Sequence, residues 1–360
     1  MRTILNWGKT MRFSTLLLAA LLPAQAVMAQ NTDWTAVNLA ITDAHVIPGY
    51  ERFAAATKTL HAEGDALCAN PDEASLNRMR EAFGASFDAW QGVQHIQFGP
   101  ITYFNWNYRL QFWPDDNGTG ARQFTALIAA ADTAVLESET FARQSVGVQG
   151  FPALERLLYE DNALQLLRDE PFRCQLTQAI SANLDEIASG VHERWVEEFR
   201  DTVATADERG FFESAEDATI DYLKALVESI RRIQQQKLEA PLGDSPAGAR
   251  ERRAEAWRSD RSVRNLQLNA RALQDIFNAG EPALRTVLPE ADMPGIDAGF
   301  ERLLTATAAL PESMNAALAD TEGYAALRET RDSLDALYEL VEAALKETDL
   351  YLGFNSLDGD

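Results

Sequence analysis

The chain has 360 residues, of which 46% are hydrophobic, and its formal net charge at pH 7 is −23. This length and composition exclude a disordered chain and indicate two folded domains. The strong negative charge excludes a nucleic-acid-binding role, because an acidic surface repels phosphate groups. The same charge attracts cations and basic peptides, or it serves solubility alone.

The N-terminal 29 residues have the features of a signal peptide. Basic residues precede an apolar run over 13–22, and small residues end at Ala29. The run is too short to span a membrane comfortably, and no other stretch approaches the ~20 apolar residues that spanning requires. Gln30 replaces the cysteine that a lipid anchor would need. We therefore predict a periplasmic protein, cleaved after Ala29, with no transmembrane segment in the mature chain. Its net charge is then −26, since residues 1–29 hold three basic residues and no acidic one.

Apolar residues recur every three or four positions through most of the chain, a spacing that predicts amphipathic helices. In the first half the predicted helices are Asp33 to about Leu67 with a kink at Pro48-Gly49, Glu73 to Gln94, Ala121 to about Ala142, a short helix after Gly150, and Pro171 to about Thr205. In the second half they centre on 220–233, 266–277, 300–314 and 324–345.

A polar stretch at 204–210 separates the two sets of helices. We therefore predict an all-α fold of two fused helical bundles of the four-helix type. The predicted N-terminal bundle comprises residues 30–207 and the C-terminal bundle residues 208–360.

The chain has two cysteines, Cys68 and Cys174. An oxidising compartment favours a disulfide between them, which would close a loop of about a hundred residues. A metal site built on these two residues is not indicated, because they lack the paired spacing of zinc motifs.

Residues 98–120 interrupt the helical pattern with an aromatic segment that contains Arg109, Trp113 and Asp115. Large rings here would cover the open end of the first bundle. Alternatively, they would form the wall of a ligand pocket, since irregular insertions of this length are often functional. Both interpretations are open at this point.

The stretch from Gly150 to Glu155 has the chemistry of a helix start. Gly150 can take the backbone angles of a cap, and Pro152 is tolerated in a first turn. Glu155 would either face the positive end of the helix dipole or point into a site enclosed by the preceding loop.

Recognisable catalytic motifs are absent from the sequence. Nucleotide-binding glycine patterns, a G-x-S-x-G elbow and an H-E-x-x-H pair are all missing. His45 lies just before Pro48, and His95 lies beside the aromatic segment. Each is interpreted either as a hydrogen-bonded structural histidine or as a ligand.

The chain resembles the imelysin-like family over almost the whole mature sequence. This family comprises exported helical proteins named for an insulin-cleaving peptidase and tied to bacterial iron uptake. The residues that carry the resemblance are His45 to Tyr50, Phe98-Gly99-Pro100, Arg109 with Phe112 to Asp115, Gly150 to Tyr159, Ala256-Trp257-Arg258-Ser259, and Leu352 to Asp360. The resemblance implies two helical bundles packed together.

The signature of that family is G-x-H-x-x-E, which is linked to a metal or peptidase centre. Gly150 and Glu155 match it, but Pro152 occupies the histidine position. Proline has no side-chain ligand atom, so the His-x-x-Glu metal pair cannot form. The chain thus looks like a branch of the family that keeps the glutamate and loses the histidine.

We expect a non-enzymatic binding or accessory protein of iron or other metal uptake, which binds a metal ion or a metal chelate and serves an inner- or outer-membrane transport partner. The expected ligand-binding residues are Gly150, Pro152, Glu155, Arg109, Trp113, Asp115 and Arg258, with Arg109 pairing with Glu155. A directly bound cation, iron or another divalent metal, would use Glu155 with His45 or His95. One alternative is a metallopeptidase that recruits these histidines. Another is a scaffold whose acidic face docks a basic membrane partner.

Overall fold

Helices form the regular secondary structure of residues 32–207 and 209–353, the part of the chain that the computed structural model describes. No strand occurs in this part, so the all-α prediction is confirmed. None of the helices described there has the length and apolarity needed to cross a bilayer. The predicted signal peptide, residues 1–29, lies outside the described residues.

Most helices follow one another closely along the chain, and the longest connections are 92–105, 243–261 and 279–292. In the first half they are α1 Trp34–Ile41, α2 Ile47–Ala69, α3 Glu73–Gln91, α4 Trp106–Leu110, α5 Thr119–Ala130, α6 Ser138–Phe141, α7 Phe151–Tyr159, α8 Ala163–Asp169, α9 Pro171–Arg194 and α10 Arg200–Ala204. In the second half they are α11 Ala215–Arg232, α12 Ala240–Leu242, α13 Ser262–Asn278, α14 Met293–Ala308, α15 Met314–Ala319 and α16 Thr321–Lys346.

The expected kink at Pro48-Gly49 takes the form of a π-helical turn, Thr42–Val46, between α1 and α2. Pro48 then lies in the first turn of α2. The helical run is continuous from α1 through this turn into α2, and the proline lies where the π-helical turn already departs from the regular i→i−4 hydrogen bonds. Two more π-helical segments, Trp195–Phe199 and Ile233–Glu239, continue α9 and α11.

The predicted single helix from Ala121 to about Ala142 is wrong. It divides into α5, a 3₁₀ turn at Thr133–Leu136, and α6. Ala131 adopts a left-handed conformation with φ 46°, which ends α5. Asp132 then accepts a hydrogen bond from the Ala134 amide and starts the 3₁₀ turn.

The core of the first half is the packing of α2 against α3 and α9. Cys68 at the end of α2 forms a disulfide with Cys174 near the start of α9, which confirms the predicted bridge. The Cα atoms of the two cysteines are 5.5 Å apart. The bridge therefore joins two helices that also pack against each other.

In the second half α14 packs against α13 and α16, and α11 packs against α16. The two sets of helices also contact each other, because α1 packs on α11. Asn38 donates to the Ala215 carbonyl at 2.7 Å, and the hydroxyls of Thr42 and Tyr222 are 2.6 Å apart. The described residues from Asp33 onward form one compact unit. The boundary at residue 207 stays a prediction.

Candidate functional site

The start of α7 lies against the end of α4. Gly150 has φ −110° and ψ −167°, which is extended backbone that any residue can adopt. Gly150 is the N-cap of α7, so the predicted helix start is confirmed, although these angles alone do not require a glycine. A Cβ atom at this position would lie 2.2 Å from the carbonyl oxygen of Leu110 and 2.5 Å from that of Arg109. The glycine is needed because the two backbones touch.

Glu155 follows one turn later and is 4% exposed. Its Oε1 accepts hydrogen bonds from the backbone N–H of Ser259 at 2.9 Å and from the Ser259 hydroxyl at 2.6 Å. Its Oε2 lies 3.9 Å from the Arg258 guanidinium. Burial raises the pKa of Glu155, while the bonds from Ser259 and the charge of Arg258 oppose the rise. Both hydrogen-bond donors and the nearest cation of this carboxylate therefore lie on one segment from the second half of the chain, while the charge of Arg156 on α7 also acts on it.

That segment, residues 251–261, holds four arginines, and we call it the arginine segment. It begins with the 3₁₀ turn Glu251–Arg253 and leads into α13. It forms one wall of a cleft of about 550 Å³, and the aromatic segment forms another. Of the residues that the sequence predicted for the site, the cleft is lined by Trp113, Asp115, Pro152, Glu155 and Arg258.

Four guanidinium groups line the cleft: those of Arg156, Arg252, Arg253 and Arg258. The Cζ atoms of Arg258 and Arg252 lie 4.2 Å and 5.1 Å from the ring centroid of Trp257. Burial, together with the like charges of Arg156 and Arg252, lowers the pKa of Arg258 to about 10, and the charge of Glu155 opposes this. Guanidinium groups that repel one another at a cleft wall favour the binding of an anion.

The carboxylates of the cleft are largely compensated. Asp115 accepts hydrogen bonds from the amides of Gly120 and Ala121 at 3.2 Å and 3.0 Å, so it caps the N-terminus of α5. Glu255 is paired with Lys237 behind the cleft wall at 3.0 Å. Asp116 and Glu155 also line the cleft, so its lining holds four arginines and four carboxylates, of which Asp115, Glu155 and Glu255 have partners within the protein. The cleft is therefore richer in arginine than the acidic chain as a whole.

Arg109 lies outside this cleft. Its Nε donates to Gln149 Oε1 at 2.8 Å and its Nη2 donates to Asn183 Oδ1 at 2.5 Å. Burial lowers the pKa of Arg109, and the charge of Glu186 opposes this. The arginine thus connects α4 to α9 and to the residue before Gly150. The predicted pair of Arg109 with Glu155 is therefore not formed, because the guanidinium donates to the side-chain amides of Gln149 and Asn183.

His45 and His95 lie together, with 2.9 Å between their Nε2 atoms. Both are buried, and neither lines the cleft. Burial lowers the pKa of His45 to about 4 and lowers that of His95 well below its ordinary value. Across residues 32–207 and 209–353, no group of three or more His, Cys, Asp and Glu side chains is placed to hold a metal ion. The expected set of Glu155 with the two histidines is not assembled.

A metal ion bound directly at the G-x-P-x-x-E stretch does not fit these residues. Pro152 offers no ligand atom, and Oε1 of Glu155 already accepts two hydrogen bonds from Ser259. Oε2 faces the cation Arg258. The donor set instead suits an anion, whether or not that anion carries a metal of its own.

A buried polar network behind the arginine segment was not found by sequence reasoning. Lys237 is 4% exposed and Glu255 is 2% exposed. The Lys237 ammonium also donates to Gln91 Oε1 and Asn269 Oδ1, both at 2.8 Å. Glu255 accepts from Asn265 Nδ2 at 2.7 Å and from Gln111, which itself lines the cleft. Burial lowers the pKa of Lys237, and the charge of Glu255 opposes this.

One signal in the sequence could have located the cleft wall. Residues 250–261 contain five arginines in a chain whose net charge is −23. Arg252 and Arg253 belong to this local reversal of charge. Such a reversal marks a surface that differs in function from the rest of the molecule.

Two solved structures have the same fold as this chain. One is an imelysin-like protein from Psychrobacter arcticum 273-4, with 20% identity, coverage of 89% of this chain and 97% of that chain, and a TM-score of 0.73. The other is a putative iron-regulated protein A precursor from Parabacteroides distasonis ATCC 8503, with 15% identity, coverage of 86% and 94%, and a TM-score of 0.72. No curated protein matches the chain. The sequence pattern of the family described as Peptidase_M75, Imelysin, matches residues 46–341, and the chain therefore belongs to the imelysin family.

Proposed function

We propose that this protein is a non-enzymatic binding or accessory component of iron or other metal uptake in the periplasm, and that it binds an anionic ligand in the arginine-lined cleft. The carboxylates of a metal chelate are the ligand class that the site fits. The observation that supports this is the convergence of Arg156, Arg252, Arg253 and Arg258 on one cleft.

Guanidinium groups suit such a ligand because each can donate two parallel hydrogen bonds to a carboxylate. The cleft volume of about 550 Å³ lies in the range of small-molecule sites. Trp113 and Trp257 add flat apolar walls beside the charged groups. A small polyanion with a rigid, partly apolar framework would contact both.

The metal enters this proposal as part of the ligand. The Parabacteroides relative is described as iron-regulated, which supports iron as the metal of the ligand in this chain. The metallopeptidase alternative gains less support, because His45 and His95 bond to each other and do not line the cleft with Glu155.

The test is isothermal titration of the purified protein with iron(III) citrate, with citrate alone and with free iron. We expect iron(III) citrate or citrate to bind, and Arg258→Ala to weaken that binding at least about tenfold, since a charged hydrogen bond contributes about 1.5–3 kcal/mol. Arg302→Ala removes the same charge from an exposed position on α14 and should leave binding unchanged. Binding of free iron alone, or of none of the three, would contradict the proposal.

A further inference from the structure

We infer that Glu155 is a positioning residue that holds the arginine segment in place, and that the ligand contacts the arginines and not this carboxylate. The inference rests on the proposed anion-binding function, which it deepens by assigning separate roles to Glu155 and the arginines.

The contacts of Glu155 support this role. Both hydrogen bonds to Oε1 come from Ser259, one from its backbone and one from its side chain. The other oxygen lies 3.9 Å from Arg258, the neighbouring residue of the same segment. A side chain that is 4% exposed and already has these partners has little surface left for a ligand.

The arginine segment needs such support because its backbone is irregular. Apart from the turn Glu251–Arg253 it has no helix before α13. Ala256 and Asp260 have φ values of 51° and 56°, which non-glycine residues adopt only where the surroundings impose them. Without contacts from outside, this segment would have no fixed conformation and its arginines no fixed positions.

Several attachments hold the segment, including a hydrogen bond from the Met314 backbone to Asp260. Glu155 binds Ser259 from the side of the cleft, and Glu255 pairs with Lys237 on the interior side. At its end, Arg261 pairs with Asp88 of α3. Glu155 is the attachment nearest Arg258, whose guanidinium lies between this carboxylate and the ring of Trp257. The direction in which Arg258 points therefore depends on Glu155.

The charges lead to the same conclusion. An anion that enters the cleft is attracted by the four arginines and repelled by a carboxylate, so direct contact with Glu155 would weaken binding. Glu155 can hold the arginine segment without any contribution from the side chain at position 152. Pro152 is compatible with this role, whereas it is incompatible with a metal pair.

The experiment compares Glu155→Gln, Glu155→Ala and Ser259→Ala by titration with iron(III) citrate and by hydrogen exchange of the Ser259 amide. The glutamine oxygen can still accept both bonds, so Glu155→Gln should bind within about threefold of the unmodified protein. Glu155→Ala should lose at least tenfold in affinity, and its Ser259 amide should exchange faster. Ser259→Ala keeps the backbone bond and should lose about fivefold, the value of one hydrogen bond. Glu301→Gln, an exposed carboxylate on α14, is the matched control.

If Glu155→Gln binds as weakly as Glu155→Ala while amide exchange is unchanged in both, the carboxylate contacts the ligand and the inference is wrong. Arg258→Ala separates the two proposals, because it should lose affinity without changing the exchange of the Ser259 amide. A protein that binds neither iron(III) citrate nor citrate contradicts the proposed function. In that case, hydrogen exchange of the Ser259 amide would still decide whether Glu155 positions the segment. If Glu155→Ala does not fold, the comparison is made with Glu155→Gln and Ser259→Ala.

Discussion

The arginine segment has a buried carboxylate on each of its two faces, and these carboxylates differ in their partners. Glu255 points into the interior and has the ammonium of Lys237 at 3.0 Å. Glu155 reaches the segment from the cleft side and is held by a hydroxyl and an amide, with its nearest cation at 3.9 Å. The comparison indicates that Glu255 contributes mainly to the stability of the fold, whereas Glu155 contributes mainly to the geometry of the site.

The largest expected effect is on the interior side. Lys237→Met leaves Glu255 buried without a counter-ion, and we expect it to lower the free energy of unfolding by about 3–5 kcal/mol. Urea denaturation at pH 7 measures this. Lys237→Met combined with Glu255→Gln removes both charges and should recover at least half of the loss. A loss below about 1 kcal/mol in the single variant would show that the ion pair does not stabilise the interior.

The histidine pair belongs to the same interior, because His95 and Lys237 line one small cavity. The pKa of His45 is about 4 in the folded protein, whereas its ordinary value, which applies to the unfolded chain, is 6.5. As the pH falls, the unfolded chain therefore binds the proton first. Stability should therefore be full above about pH 6.5 and decrease towards pH 4, by up to about 3 kcal/mol.

Denaturation at a series of pH values, in the unmodified protein and in His45→Asn, measures this dependence. The variant lacks the titrating imidazole, whereas the surface carboxylates titrate equally in both proteins. Its pH dependence should be the smaller one. Identical slopes in the two proteins would mean that burial of His45 is not linked to stability.

On the cleft side we expect a smaller effect at Gly150. A Cβ atom there meets the Leu110 carbonyl at 2.2 Å, so Gly150→Ala forces the backbones of α4 and α7 apart at a cost of about 1–3 kcal/mol. Gly248→Ala is the matched control, because its added carbon would meet only Ser245 Oγ at 3.6 Å. Equal melting temperatures for the two variants would contradict the close approach described here.

The smallest expected effect is that of Glu155→Gln on stability. Burial raises the pKa of Glu155 in the folded state, so its ionisation at neutral pH costs free energy that an amide does not cost. We expect Glu155→Gln to raise the free energy of unfolding by between zero and about 1 kcal/mol at pH 7. The gain should be smaller at pH 4, where the carboxyl is protonated. A clear loss of stability at pH 7 would show that the charge itself is needed.

The sequence allowed much of the helical layout to be predicted, because apolar spacing reports directly on helix faces. It also identified Glu155, Trp113, Asp115 and Arg258 as candidate site residues, and all four line the cleft. The family signature located Glu155, since Gly150 and Glu155 keep the spacing of a helix start.

The partners of these residues could not be predicted. Ser259 is 104 positions from Glu155, and no periodicity relates residues so far apart. Arg109 has a side chain that could bind an anionic ligand, but its guanidinium already donates hydrogen bonds to Gln149 and Asn183. The pair of Lys237 and Glu255 was missed because each residue, read alone, is typical of a solvated helix face or loop. Only the packing of α3, α13 and the arginine segment makes them interior residues.

The position of Trp257 under two guanidinium groups has a practical consequence. The Cζ atoms of Arg258 and Arg252 lie 4.2 Å and 5.1 Å from its ring centroid. An anion that draws these groups towards itself changes the electric field at the indole, and the emission of an indole depends on that field. The cleft therefore contains two indoles, Trp257 and Trp113, and we expect tryptophan fluorescence to report binding of the proposed anion without any label.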